Sequence, residues 1–442
     1  MPIAMSPERP RTRITKFTGG LLVRGNELVK EDLWISSDTG KILHGQEAFY
    51  EHHITPDEVI DLNGKILAPG FIDVQFNGGF GFDFSTVPDD MTEYRKGLNE
   101  LNRKLVRTGV TSYLPTLPSQ KAEVYHKTLK YLGPSGGSRN PLLGAESLGA
   151  HCEGPFIAGT KCGIHSPSVL RNAPNGLSDI DTCYGPENLS FQEDDARSPI
   201  TMITLAPELP GLMSAIPALT SRGIRVSVGH TEATYSQTTL ALQFGATMLT
   251  HLFNAMRPLH HRDPGPFGTL GSTSPTVSRP YFGIIADGIH LHPTTVNLAY
   301  NAHPSGFILV TDAMKTMGLP DGAYDWTNGD KWVKKGALLT RQGTDTLAGS
   351  SATLVECASN FWNWSGASVP EVIRAVTAAP AGMLGLDGVK GCLEAGADAD
   401  LVVLDAVESG KGEKRIEVEQ VWKFGVNVYD REAEEIAKLK ER

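Results

Sequence analysis

The sequence contains no apolar run long enough to cross a bilayer, which takes about 20 residues. Residues 1–20 carry Pro and scattered Arg but lack the apolar stretch of a secretion signal. Cysteine is scarce: Cys152, Cys162, Cys183, Cys357 and Cys392 form an odd set of 5, widely spaced and without a CxxC pair. This argues against a disulfide framework and against a thiolate zinc site, and a reducing, cytoplasmic compartment is expected. A basic excess is missing too. With 40 Lys and Arg against 50 Asp and Glu, the formal net charge is -10, so nothing accumulates to attract nucleic-acid or acidic-membrane phosphates. A small phosphorylated ligand remains compatible, because one Arg and a few aimed backbone N–H groups can hold a phosphate.

What is present is ordinary globular material, 40% hydrophobic and 20% charged over 442 residues, enough for a large core and a small accessory domain. Short strand-like runs at 14–18, 21–24, 32–36 and 59–61 are separated by Gly19-Gly20, Asp38-Thr39-Gly40 and Asn63-Gly64. The same texture returns at 401–404 and 416–422. Residues 1–68 and 389–442 are therefore read as two halves of one small β-sandwich-like domain around a central domain at 69–388. In the centre, apolar runs at 71–77, 110–117, 148–154, 200–207, 224–230, 246–253, 281–287 and 307–311 alternate with helical stretches such as 91–108, 236–244 and 293–302, and a further helix is expected at 354–362. Near-continuous apolar strands separated by helices predict an α/β fold, a TIM-like (β/α)₈ barrel, over its rival, a doubly wound sheet. The polar segment 179–198, with Glu193-Asp194-Asp195, reads as an exposed insertion.

The position of the polar residues favours the barrel. Strand one runs into Gln75 and Asn77, strand three ends at His151-Cys152-Glu153, strand five at His230, strand six at His251, strand seven at Asp287 and His290, and strand eight at Asp312. In a barrel these ends meet on one face. Two imidazoles and a carboxylate with open positions compose a catalytic divalent-metal site, and an extra Asp serves as general base for a metal-activated water. Each residue also has a bland reading: a hydrogen-bonded structural His, a helix N-terminal charge for Glu153, an N-cap for Asp312. His151 supports the ligands rather than joining them, and Cys152 points to the opposite face of its strand as packing. Several independent strand ends offering one chemistry outweigh the bland readings, yet their spacing names no substrate.

Residues 67–73 (LAPGFID) are similar to the segment that leads into strand one of amidohydrolase-superfamily barrels. More narrowly, 75–84 (QFNGGFGFDF), 151–156 (HCEGPF), 228–234 (VGHTEAT), 250–256 (THLFNAM), 260–265 (HHRDPG), 285–290 (IADGIH) and 310–313 (VTDA) resemble the N-acetylglucosamine-6-phosphate deacetylase family, in its eukaryotic form. The resemblance implies hydrolytic deacetylation of that phosphosugar in amino-sugar catabolism. It implies Glu153, His230 and His251 as metal ligands, Asp312 as general base and acid, and His165 as the histidine that contacts the sugar and polarises the acetyl carbonyl. Ile164, Asn254, Ala255, Asp287, His290 and the loop Leu347-Ala348-Gly349 are implied as substrate contacts. Arg262 is implied as a phosphate-binding residue supplied across a homodimer interface. Gln75 and Asn77 replace the H-x-H pair of most of the superfamily, and neutral amides are poor ligands for transition metals. One divalent ion per subunit is expected, zinc by default, with other first-row metals compatible.

Rival functions are a cyclic-amide hydrolase, a catalytically dead barrel kept as a scaffold, and a sugar-phosphate sensor. The first uses H-x-H on strand one and a lysine on strand four, where this sequence has Gln75 and Asn77 and a lysine-free run at 200–207. The second usually lacks the strand-eight aspartate, and the third needs no metal triad.

Overall fold

The structure, a computed structural model, describes residues 13–440 except 52, 191–197, 326–330, 345–346 and 411. Its centre is a nearly closed parallel barrel of β1 (Phe71–Phe76), β2 (Val110–Pro118), β3 (Ala150–Glu153), β4 (Ile200–Leu205), β5 (Arg225–Val228), β6 (Met248–Leu249), β7 (Tyr281–Ile285) and β8 (Phe307–Val310). Each strand pairs in parallel with the next. Closure between β8 and β1 is made at the C-terminal ends, where Asp312 N–H donates to Gln75 O (2.9 Å) and Asn77 N–H to Ala313 O (2.9 Å). Lower in the barrel the Asp73 carboxylate does this work, accepting the Thr311 hydroxyl at 2.6 Å. Every residue of β1 and β8 is buried, as expected for strands covered on both faces.

The helices follow the sequence reading closely. Met91–Leu105 continues as a 3₁₀ turn to Thr108, and Tyr235–Gln243, Pro293–Ala302 and Leu354–Trp364 lie where the periodicity places them. Thr234 and Thr353 start two of them with full capping boxes to Gln237 and Glu356. Among the described residues no helix is long and apolar enough to cross a membrane.

Strands from both chain ends share one sheet. Leu401–Glu408 runs antiparallel to Ile66–Pro69 on one side and to Lys414–Lys423 on the other. A buried ion network joins this sheet to the barrel. Lys423 Nζ lies 2.6 Å from Glu146 and 2.7 Å from Asp400, and Lys390 Nζ lies 2.8 Å from both Asp398 and Asp400. Glu146, Asp398 and Asp400 could together ligate a metal, but the two ammonium groups already occupy them.

Two expectations need correction. The segment 179–198 is not simply an exposed loop: Leu177–Tyr184 is a helix with Ile180, Cys183 and Tyr184 buried, and Ser198 is buried too. Its apolar residues at positions 180, 183 and 184 have helical spacing, which the surrounding polar residues obscure. Glu193-Asp194-Asp195 lies outside the described residues. The expected loop at Leu347-Ala348-Gly349 belongs to a strand, Leu347–Ser350, the last of a four-stranded antiparallel sheet with Gly322–Asp325, Lys331–Lys335 and Leu338–Arg341. This sheet, inserted after β8, was not legible beforehand.

Candidate active site

Glu153 is the last residue of β3, whereas His230, His251, Asp287 and Asp312 each lie just beyond the last paired residue of β5, β6, β7 and β8. His230, His251 and Asp312 have φ of 48°, 27° and 46°. Left-handed backbone costs a non-glycine residue roughly 1–3 kcal/mol, and such strain collects at functional sites. Here it breaks the alternation of the strands and turns three polar side chains over the barrel mouth.

Glu153 Oε1 lies 3.1 Å from His230 Nε2 and 2.9 Å from His251 Nε2, and the two Nε2 atoms are 3.0 Å apart. His230 Nδ1 is 2.7 Å from the Lys161 carbonyl oxygen, so that nitrogen carries the proton and the Nε2 lone pair faces the cluster. Three electron-pair donors crowded within 4.8 Å fit a divalent cation, and two imidazoles with one carboxylate suit zinc and its first-row neighbours. Buried polar atoms without a partner among the described residues cluster here as well: His251 Nδ1, Asn254 Nδ2, Gln75 Oε1 and Asn77 Oδ1.

The two amides of strand one act on the carboxylates. Gln75 Nε2 donates to Glu153 Oε1 at 2.9 Å and Asn77 Nδ2 to Asp312 Oδ1 at 2.6 Å. They fix the direction of both carboxylates. Burial, reinforced by the nearby Glu153 charge, raises Asp312 to about 6. That value suits a group that must both accept and return a proton near neutrality.

His165 accepts the Ser119 N–H at Nδ1 (3.1 Å), which assigns its proton to Nε2. Burial, with His230 beside it, lowers its pKa to about 3, so the ring is a neutral donor. His151 lies outside the candidate ligand cluster: it is fully buried, 2.7 Å from the Thr204 hydroxyl and 3.4 Å from that of Thr116. Cys152 is packed in the core.

A cavity of about 530 Å³ opens on this cluster, and Asn77, Ile164, His165, Asn254, Ala255, His290, Asp312, Leu347 and Gly349 contribute to its walls. Asp287 does not line it. Asp287 instead holds His290, with Oδ2 2.7 Å from Nδ1 and Oδ1 accepting the Ile289 and His290 N–H groups at 2.9 Å. Arg262 is exposed and outside this chain's cavity. Sequence reasoning missed Met314, Trp332 and Arg341, which also line the wall. The last two belong to the inserted sheet; burial alternates along Lys331–Lys335, but its residues Lys-Trp-Val-Lys-Lys carry no apolar alternation that would mark a strand.

Strand ends that gather candidate metal ligands in this way define an amidohydrolase-type barrel, and a model described as Amidohydrolase family matches residues 329–429. An N-acetylglucosamine-6-phosphate deacetylase from Danio rerio is 43% identical over 414 residues, covering 93% of this chain and 97% of that protein. One from Homo sapiens is 42% identical over 396 residues, covering 89% and 92%. The chain belongs to the N-acetylglucosamine-6-phosphate deacetylase family. Among solved structures, a point mutant of the Mycobacterium smegmatis deacetylase in complex with N-acetyl-D-glucosamine-6-phosphate superposes with a TM-score of 0.73 at 27% identity, covering 94% of this chain and 99% of that one.

Proposed function

We propose that this chain hydrolyses the acetamide of N-acetylglucosamine 6-phosphate to glucosamine 6-phosphate and acetate. The observation that carries the reading is the convergence of Glu153, His230 and His251 beside Asp312 and His165 on one cavity. Glu153, His230 and His251 would hold one divalent ion, zinc by default, which would acidify water and polarise a carbonyl. Asp312 takes the proton of the attacking water and returns it to the departing sugar nitrogen. His165 donates its Nε2–H to the carbonyl oxygen as negative charge develops there, and as a fixed neutral donor it needs no reorganisation.

The remaining contacts position the substrate. Leu347-Ala348-Gly349 and Ile164 flank the sugar, whereas the turn at Asn254-Ala255 and His290 receive the phosphate, with Asp287 acting through His290. Ala255 has φ 50°, a turn conformation in which backbone N–H groups can face an anion. Arg262 comes from the partner of a homodimer. The phosphate is remote from the breaking bond, so its binding energy serves orientation. Gln75 and Asn77 spend their N–H groups on Glu153 and Asp312, which supports a single ion rather than a pair.

Acetate release from N-acetylglucosamine 6-phosphate by purified protein, before and after chelation and zinc restoration, tests the reading. Release that is lost and regained with the metal is expected. No release with any divalent ion from folded protein would overturn it.

A further inference from the structure

The helix Leu177–Tyr184 has no part in the chemistry described above, yet its last residue is hydrogen-bonded to the residue that follows Glu153. Its last residue, Tyr184, is fully buried, with its ring edge-on to Tyr125 (4.9 Å between centroids) and to Phe156 (5.8 Å). The Tyr184 hydroxyl donates to the Gly154 carbonyl oxygen at 2.8 Å. Tyr125, on the helix Ala122–Leu132, is equally buried and donates to the same oxygen at 3.1 Å, while its own oxygen accepts the Gln120 N–H at 3.1 Å. Both lone pairs of that carbonyl are thereby used. On the other side of the same residue, Gly154 N–H donates to Thr204 O at 3.1 Å, and the Ser119 hydroxyl approaches Glu153 O at 3.4 Å. Gly154 follows Glu153 directly, and its φ of +77° sets the turn out of β3.

Two buried hydroxyls from two different helices thus find their acceptor in one carbonyl, that of the residue directly after Glu153. We propose that Tyr184 and Tyr125 are positioning residues for the metal centre: they lock the Gly154 peptide and thereby the direction in which Glu153 presents its carboxylate to the ion. The helix Leu177–Tyr184 is then a brace of the metal site. The inference rests on Glu153 being a metal ligand, as in the function proposed above. Groups that orient a metal ligand typically account for about 10–100-fold in metal affinity, and these act one peptide further out.

The test is the zinc affinity of Tyr184→Phe and Tyr125→Phe, read by competition with a chromophoric chelator, together with melting temperatures of zinc-free and zinc-loaded protein. Each variant loses one hydroxyl and leaves the other on Gly154 O. Zinc affinity is expected to fall about tenfold in each, with KM at saturating zinc unchanged. A merely structural role would lower both melting temperatures together and leave zinc affinity as in the wild type, and that result would overturn the proposal. Glu153→Gln separates the two failures. If it binds zinc normally, the ligand assignment itself is wrong. If it loses zinc while both tyrosine variants keep theirs, only the positioning role falls.

Discussion

Replacing Asp312 with Asn removes the proposed proton acceptor while leaving nearly everything else in place. The side chains are isosteric. The Asn carbonyl oxygen can still accept the Asn77 N–H that Asp312 Oδ1 accepts at 2.6 Å. The backbone is the second concern, because residue 312 has φ 46°, where most L-residues are strained. Asn tolerates left-handed backbone about as well as Asp, so the turn after β8 should survive, as it would not with a β-branched residue. Asp312 is also outside the cluster formed by Glu153, His230 and His251, so metal content should match the wild type. What disappears is general base and acid catalysis, which contributes about 10²–10⁴-fold. At about 1.4 kcal/mol per tenfold, this is roughly 3–5 kcal/mol of barrier. The expected result is a kcat lowered by about 10²–10⁴-fold, an unchanged KM and an unchanged zinc content, measured by acetate release and elemental analysis. A variant within tenfold of wild-type kcat would refute the assignment of the base, whereas loss of zinc would place Asp312 among the ligands.

Arg262→Ala should raise KM for the phosphosugar by about tenfold or more, as expected for a charged hydrogen bond, and leave turnover of unphosphorylated N-acetylglucosamine unaltered. Co-expression of Arg262→Ala with Asp312→Asn chains should regain activity through mixed dimers; none would be regained if Arg262 served its own subunit. Asp287→Ala frees a His290 ring now held at 2.7 Å and should raise KM by about tenfold with kcat largely kept, so a selective loss of kcat would contradict a role in orienting the substrate. Lys423→Met leaves Glu146 and Asp400 sharing only Lys390, at a cost of about 3–5 kcal/mol in urea denaturation at pH 7. Burial pulls the Asp398 and Asp400 carboxyls upward, but Lys390, and for Asp400 also Lys423, holds both below their usual value. Their stabilisation is therefore complete above the unfolded pKa of about 4 and is lost as pH falls below it. The difference between wild type and variant should shrink below about pH 4, and a gap that widened there would contradict this.

Local signals made much of the molecule legible. The runs ending at Glu153, His230 and His251 show both burial and chemistry within a few residues, and the strands at Ile14–Thr18 and Leu21–Arg24 are set off by Gly19-Gly20. The inserted sheet was not legible because its strands are short, and only scattered residues of Lys331–Lys335 and Leu338–Arg341 are buried. The helix Leu177–Tyr184 was missed for a related reason: its few apolar positions lie among Ser, Asp and Thr.

By itself the sequence determined the parallel barrel, the order of its strands and the residue types at their ends, because buried strands need apolar runs and ligand chemistry needs particular side chains. Tertiary structure decided what those residues do to one another. Only folding brings Gln75 to Glu153 and Asn77 to Asp312, separated by 78 and 235 residues, and makes the substituted amides supports for carboxylates. Only folding sets Asp287 behind His290, leaves Arg262 outside its own cavity and brings two tyrosines to one carbonyl. Hydrogen bonds depend on distances of a few tenths of an ångström and on direction, and residues far apart in the chain acquire these only when the barrel closes.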